Sequence, residues 1–140
     1  MKVAVVYWSS TGNTEAMAQA VVEGAKHAGA EAELFTAAEF DGGKMDEFDA
    51  VAFGCPAMGA EELEDGEFAP MFETCESKLS GKKIALFGSY GWGDGEWMRT
   101  WEENCRDKGA NLVCDSVICQ ETPDDEALSA CQALGKKLAE

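Results

Sequence analysis

The chain has 140 residues, 46% apolar and 27% charged, enough for one domain (1–140) with a real core. Eleven basic residues stand against 27 acidic ones, a net charge of −16, which argues against nucleic acid as a partner because phosphate backbones need a cationic surface. No apolar run is long enough to cross a bilayer, and Met1–Val6 has no cleavage-site pattern after it, so no membrane partner is expected, while free thiols suggest a reducing cytoplasm.

Lys2 to Trp8 is a near-continuous apolar strand, the pattern of a strand covered on both faces. Asn13 to Ala28 follows as a helix with Met17, Val21, Ala25 and Ala28 on one side, and Gly29 stops it. Glu31 to Thr36 alternates as an edge strand would. Ala37 to Phe48 offers one or two helical turns. Ala50 to Cys55 is the third strand. A helix with Phe68, Met71, Phe72, Cys75 and Leu79 on its inner face comes next. Ile84 to Gly88 is the fourth strand. The helix from about Gly95 holds Trp97, Met98, Trp101 and Cys105 in register. Leu112 to Cys119 is the fifth strand, unbroken. Thr122-Pro123-Asp124-Asp125 opens the last helix with Thr122 as its cap, and Leu128, Cys131, Leu134 and Leu138 face inward. Strands alternating with helices predict an α/β sandwich with a parallel sheet.

The six cysteines form no Cys-x-x-Cys pair, and His27 is the single histidine, so no metal or iron–sulfur spacing is present. Most of the thiols fall on apolar helix or strand faces, where they act as small hydrophobes.

Ligands of open parallel sheets sit beyond the carboxyl ends of the strands. After the first strand come Ser9-Ser10-Thr11-Gly12-Asn13-Thr14, with four hydroxyls in six positions and no lysine or arginine. Such a loop at a helix start suits a phosphomonoester held by N–H groups, hydroxyls and the helix dipole. A Walker loop would need a lysine. After the third strand, Pro56-Ala57-Met58-Gly59 offers a polarizable thioether beside a glycine, and Glu61 could accept from a ring N–H; the rest of "EELEDGE" reads as a solvated acidic run. After the fourth strand, Ser89-Tyr90-Gly91-Trp92-Gly93 presents aromatics on a glycine-rich loop, suited to stacking on a planar ring. The loops describe a mononucleotide with a large flat base. They hold no nucleophile paired with a base, so no catalytic residue is assigned.

These motifs resemble the flavodoxin family. The first loop is similar to its Thr/Ser-x-Thr-Gly-x-Thr signature through Ser9, Thr11, Gly12 and Thr14, and "GCPAMGAEELE" and "ALFGSYGWGDGEWM" resemble the ring loops of its short-chain, clostridial-type branch. The resemblance implies a flavodoxin-like three-layer sandwich with a five-stranded parallel sheet in the order 2-1-3-4-5 and non-covalent FMN. It implies a low-potential one-electron carrier between redox proteins rather than an enzyme. Ser9 to Thr14 would hold the phosphate, with the Trp8 indole nearby. Met58 and Trp92 would flank the ring and Glu61 would meet its N3–H. The Gly59 carbonyl would turn toward N5–H on one-electron reduction, and Gln120 would touch the ring edge through its backbone. Partners would dock near the flavin edge on the acidic surface of a monomer. The competing reading is an FMN-dependent quinone or nitro-compound reductase on the same fold.

Overall fold

The computed structural model describes residues 1–58, 62–91 and 93–140. In chain order the elements are β1 (Lys2–Tyr7), α1 (Asn13–His27), β2 (Glu31–Thr36), a 3-10 turn (Ala37–Glu39), α2 (Gly42–Met45), β3 (Ala50–Gly54), α3 (Phe68–Cys75), a second 3-10 turn (Glu76–Lys78), β4 (Lys83–Tyr90), α4 (Glu96–Asp107), β5 (Asn111–Leu112), β6 (Val117–Gln120) and α5 (Asp125–Leu138). All strand pairs are parallel, in the order β2-β1-β3-β4-β5, with β6 also paired to β4. The expected 2-1-3-4-5 sheet is present, its fifth position shared by β5 and β6.

The period-two alternation of the central strands sends side chains into two cores. Ala4, Val6, Val51, Phe53, Ile84 and Leu86 point to one face, where Phe68, Met71 and Phe72 of α3 and Trp97, Met98 and Trp101 of α4 cover them. Val3, Val5, Ala50, Ala52, Ala85 and Phe87 point to the other, under Met17, Val21 and Ala25 of α1 and Cys131, Leu134 and Leu138 of α5. Cys55, Cys75, Cys105 and Cys131 are buried in these layers, as their positions on apolar faces predict.

Four expectations are corrected. Ala28 is exposed rather than part of the α1 stripe, because the chain turns out at Gly29 (φ +91°), with Gly29 N–H on the Lys26 carbonyl and Ala30 N–H on that of Ala25. Strand β4 runs on past Gly88 through Tyr90, so Ser89 and Tyr90 are strand residues. The fifth strand is broken: Leu112 pairs with Ile84 and Val117 with Phe87, so the chain inserts two extra residues there. The polar pair Asp115-Ser116 lies in this bulge, Ser116 Oγ donating to Glu102 Oε2 at 2.7 Å. Finally, α5 is capped by Asp124, whose carboxylate accepts from Ala127 N–H at 2.8 Å, and not by Thr122. The carboxylate also meets the positive helix end, which a threonine hydroxyl cannot match.

Candidate functional site

The carboxyl ends of β1, β3, β4 and β6 meet at one edge of the sheet. An open cleft of about 220 Å³ lies there, lined by Ser10, Thr11 and Asn13, by Pro56, Ala57 and Met58, by Ser89, Tyr90 and Gly91, and by Glu121. Three loops far apart in sequence therefore line one space, as the strand-end reasoning expects. A neighbouring hollow of about 320 Å³ is lined in part by Trp8, Ser9, Ser10 and Gly12, so Ser10 belongs to both.

The first loop owes its shape to Gly12. Its φ of +93° is a conformation side chains rarely adopt, and it stands at the N-cap of α1 with no side chain capping the helix. Ser9 Oγ turns inward instead and accepts from Gly12 N–H at 3.0 Å. Thr14 is 1% exposed, and its hydroxyl shares a 3.0 Å hydrogen bond with that of Ser89, which ties the first loop to β4. Tyr7 below the loop donates to Glu15 at 3.0 Å; burial and then the nearby Glu15 hold its pKa above the ordinary value. Trp8 is half-buried against the aromatic core.

The loop after β3 is anchored by backbone bonds. Ala57 N–H donates to the Ser89 carbonyl at 3.0 Å, and Met58 and Glu62 exchange two N–H···O bonds of 2.8 and 2.9 Å. The loop after β4 rests on α4: the Tyr90 and Trp97 rings lie 5.5 Å apart, and the Trp97 indole donates to the Cys55 carbonyl at 3.2 Å. Gly93 is exposed with φ +88° and does not line the cleft. Gly59, Glu61 and Trp92 lie outside the described residues. Gln120 is exposed in β6, where it pairs with Tyr90 of β4, and its side chain donates to the Gly91 carbonyl at 3.4 Å.

Sequence reasoning missed two residues. Glu121 lines the cleft, carries the sole positive φ (58°) among the described non-glycine residues, and donates its N–H to the Tyr90 carbonyl at 2.7 Å. No residue-type signal announces a left-handed glutamate. Glu64, read as part of a solvated run, is 9% exposed. Burial works to raise its pKa, but N–H donors from Phe68, Glu67 and Gly66 outweigh that and hold it below the ordinary carboxylate range. An acid just ahead of an apolar helix was the available signal.

A larger hollow of about 940 Å³ lies at the opposite, amino ends of the strands. Lys78 pairs with Asp46 at 2.8 Å, Lys82 Nζ donates to the Met45 and Phe48 carbonyls at 3.1 and 2.7 Å, and Lys83 Nζ donates to the Glu140 carbonyl at 2.6 Å. The three lysines that line it are thus already engaged, and it lies at the other end of the sheet from the strand-end loops.

The donor set of the cleft fits a phosphomonoester on a flat ring. An uncapped helix start and the hydroxyls of Ser10 and Thr11 face it, no lysine or arginine lines it among the described residues, and Met58 and Tyr90 stand half-buried on its wall. The flavodoxin family model matches residues 5–135. The chain is 44% identical to the flavodoxin of Clostridium beijerinckii over 96% of this chain and 97% of that one. It is 44% identical to that of Megasphaera elsdenii over 98% of each.

The chain belongs to the flavodoxin family.

The solution structure of two-electron-reduced M. elsdenii flavodoxin superposes with a TM-score of 0.89 over 98% of both chains, and an archaeal flavodoxin, 30% identical, with 0.87 over 99% of this chain and 96% of that one. Like the family, this protein is an FMN-binding electron carrier that works with redox partner proteins, not an enzyme, and the reductase reading is not favoured. Among the described residues no helix is long and apolar enough to cross a membrane.

Proposed function

We propose that residues 1–140 work as one cytoplasmic, monomeric domain that holds FMN in the cleft. The observation that carries this is the joint lining of one space by Ser10, Thr11 and Asn13, by Ala57 and Met58, and by Tyr90 and Gly91. The Ser9–Thr14 loop and the start of α1 supply N–H and hydroxyl donors for the phosphate, with Trp8 beside them. Thr14 works with Ser89 to hold that loop against β4. Met58 and Trp92 would cover the ring, Glu61 would meet its N3–H, and Pro56, Gly59 and Gln120 would complete the surround. When bound, FMN supplies the one-electron chemistry; these residues bind it, orient it and limit the water around it.

The exposed carboxylates of Glu62, Glu67, Asp94 and Glu121 ring this end of the molecule. They form a docking surface for basic redox partners, through attraction that is screened by salt. The same negative field opposes added charge on the cofactor, which lowers its potential.

An anaerobic dithionite titration followed by visible absorbance tests the reading. A yellow protein that passes through a stable one-electron-reduced form supports a one-electron carrier. Bleaching in one two-electron step would keep the site but overturn the carrier role. A colourless protein that takes up no added FMN would overturn the site.

A further inference from the structure

Glu64 is held unlike the acids around it. Asp65 and Glu67 are exposed, whereas Glu64 is buried with both carboxylate oxygens bonded to backbone. Its Oε1 accepts from Glu67 and Phe68 N–H at 2.7 and 2.8 Å, and its Oε2 from Gly66 N–H at 2.6 Å. These N–H groups open α3 and would otherwise lack partners. Glu67, at the N-cap position, gives no side-chain bond. Glu64 therefore caps the helix from outside it.

The backbone N–H of Glu64 reaches the other way. It approaches Cys55 Sγ at 3.4 Å, and Cys55 is the residue from which the ring-side loop departs. Further out, Met58 and Glu62 are bridged by two hydrogen bonds. The loop is thus closed at two levels, Cys55 to Glu64 and Met58 to Glu62. Two groups of Glu64 link this closure to α3: its carboxylate, and its carbonyl, which accepts from Ala69 N–H at 2.9 Å. Gly66 is part of the same device, since a Cβ there would stand 2.8 Å from Glu64 Oε2.

We propose that Glu64 is a positioning residue of the cofactor site: its carboxylate locks the base of the 55–64 loop to the start of α3 and so fixes Met58 at the cleft. The inference rests on the FMN reading above. A hydrogen bond to a charged group is strong, and shortening the side chain by one methylene pulls the carboxylate out of reach while keeping its charge.

The test uses the full chain and four variants: Glu64→Asp, Glu64→Gln, Gly66→Ala and Asp65→Asn. FMN dissociation constants are read from quenching of FMN fluorescence, and amide hydrogen exchange is read on the apoprotein. Glu64→Asp and Glu64→Gln are expected to weaken FMN binding about tenfold. Gly66→Ala should act in the same direction with the charge untouched. Asp65→Asn, which removes an exposed charge next door, should match the parent. In the apoprotein, the Met58, Glu62, Gly66, Glu67 and Phe68 amides of Glu64→Asp should exchange faster while those of β3 and β4 hold. Parent-like affinity in folded Glu64→Asp would overturn the inference, as would equal effects of Glu64→Gln and Asp65→Asn, which would indicate charge alone. A parent chain that binds no FMN would instead defeat the cofactor reading; the exchange pattern would still decide whether Glu64 holds the loop.

Discussion

The two faces of the sheet are filled by different means. On the α3/α4 face, Phe53 and Trp101 each meet Phe68 and Phe72 edge to face, with ring centroids 5.0 to 6.5 Å apart, while Phe68 and Phe72 stack on each other. On the α1/α5 face the helices approach backbone to backbone: a Cβ at Gly24 would sit 1.9 Å from the Gln132 carbonyl oxygen, and one at Gly135 would sit 2.1 Å from that of Val21. Side chains can repack around a change, whereas a carbonyl in a helix cannot move far. The helix that starts after the Ser9–Gly12 loop is therefore set by rigid contact. The loops on the ring side rest on an adaptable aromatic layer and on local ties such as Glu64.

The comparison can be broken at several points. Phe53→Ala removes a fully buried ring from the aromatic layer and should cost about 4 kcal/mol in urea unfolding. Gly24→Ala should lower stability by about 3 kcal/mol, although alanine is the better helix former by about 1 kcal/mol. A stabilised Gly24→Ala protein would show that backbone contact does not set that face. Thr14→Val leaves the buried Ser89 hydroxyl unpaired; a loss of about 2 kcal/mol, together with weaker FMN uptake, is expected from unfolding curves and fluorescence titration.

Alkylation gives a sharper, smaller contrast. Burial pushes the Cys55, Cys105 and Cys131 thiols up to about 12 and that of Cys75 up to about 11. Their thiolates are thus scarce at neutral pH. Iodoacetamide on the native protein should label only the half-buried Cys114 and Cys119, as read by peptide mass spectrometry. Smallest of all, Lys78→Ala breaks an exposed pair with Asp46 and should change stability by less than about 0.5 kcal/mol.

Much of the molecule was legible from side-chain type and spacing. The inner stripes of α3, α4 and α5 are buried nearly as expected, because an amphipathic helix shows its contact face through a 3.6-residue period. Gly29 marked the end of α1, where the chain turns with φ +91°. The fifth strand misled because Val113 and Cys114 continue the apolar run into the bulge; only pairing with β4 reveals the two extra residues. The cap of α5 misled because Thr122 and Asp124 are both good caps, and the turn at Glu121 decides which one meets the helix.

By itself the sequence determined the class of fold, the character of each strand-end loop and the neutral donor set that suits a phosphomonoester, because these follow from local pattern and residue chemistry. Tertiary structure alone decided that Thr14 would bond to Ser89, 75 positions away, that Glu64 would be buried among backbone donors, and that Glu121 would reach the cleft. Those outcomes depend on which strand ends the parallel sheet brings together. A carboxylate or hydroxyl carries no mark of the partner it will find until the sheet has assembled.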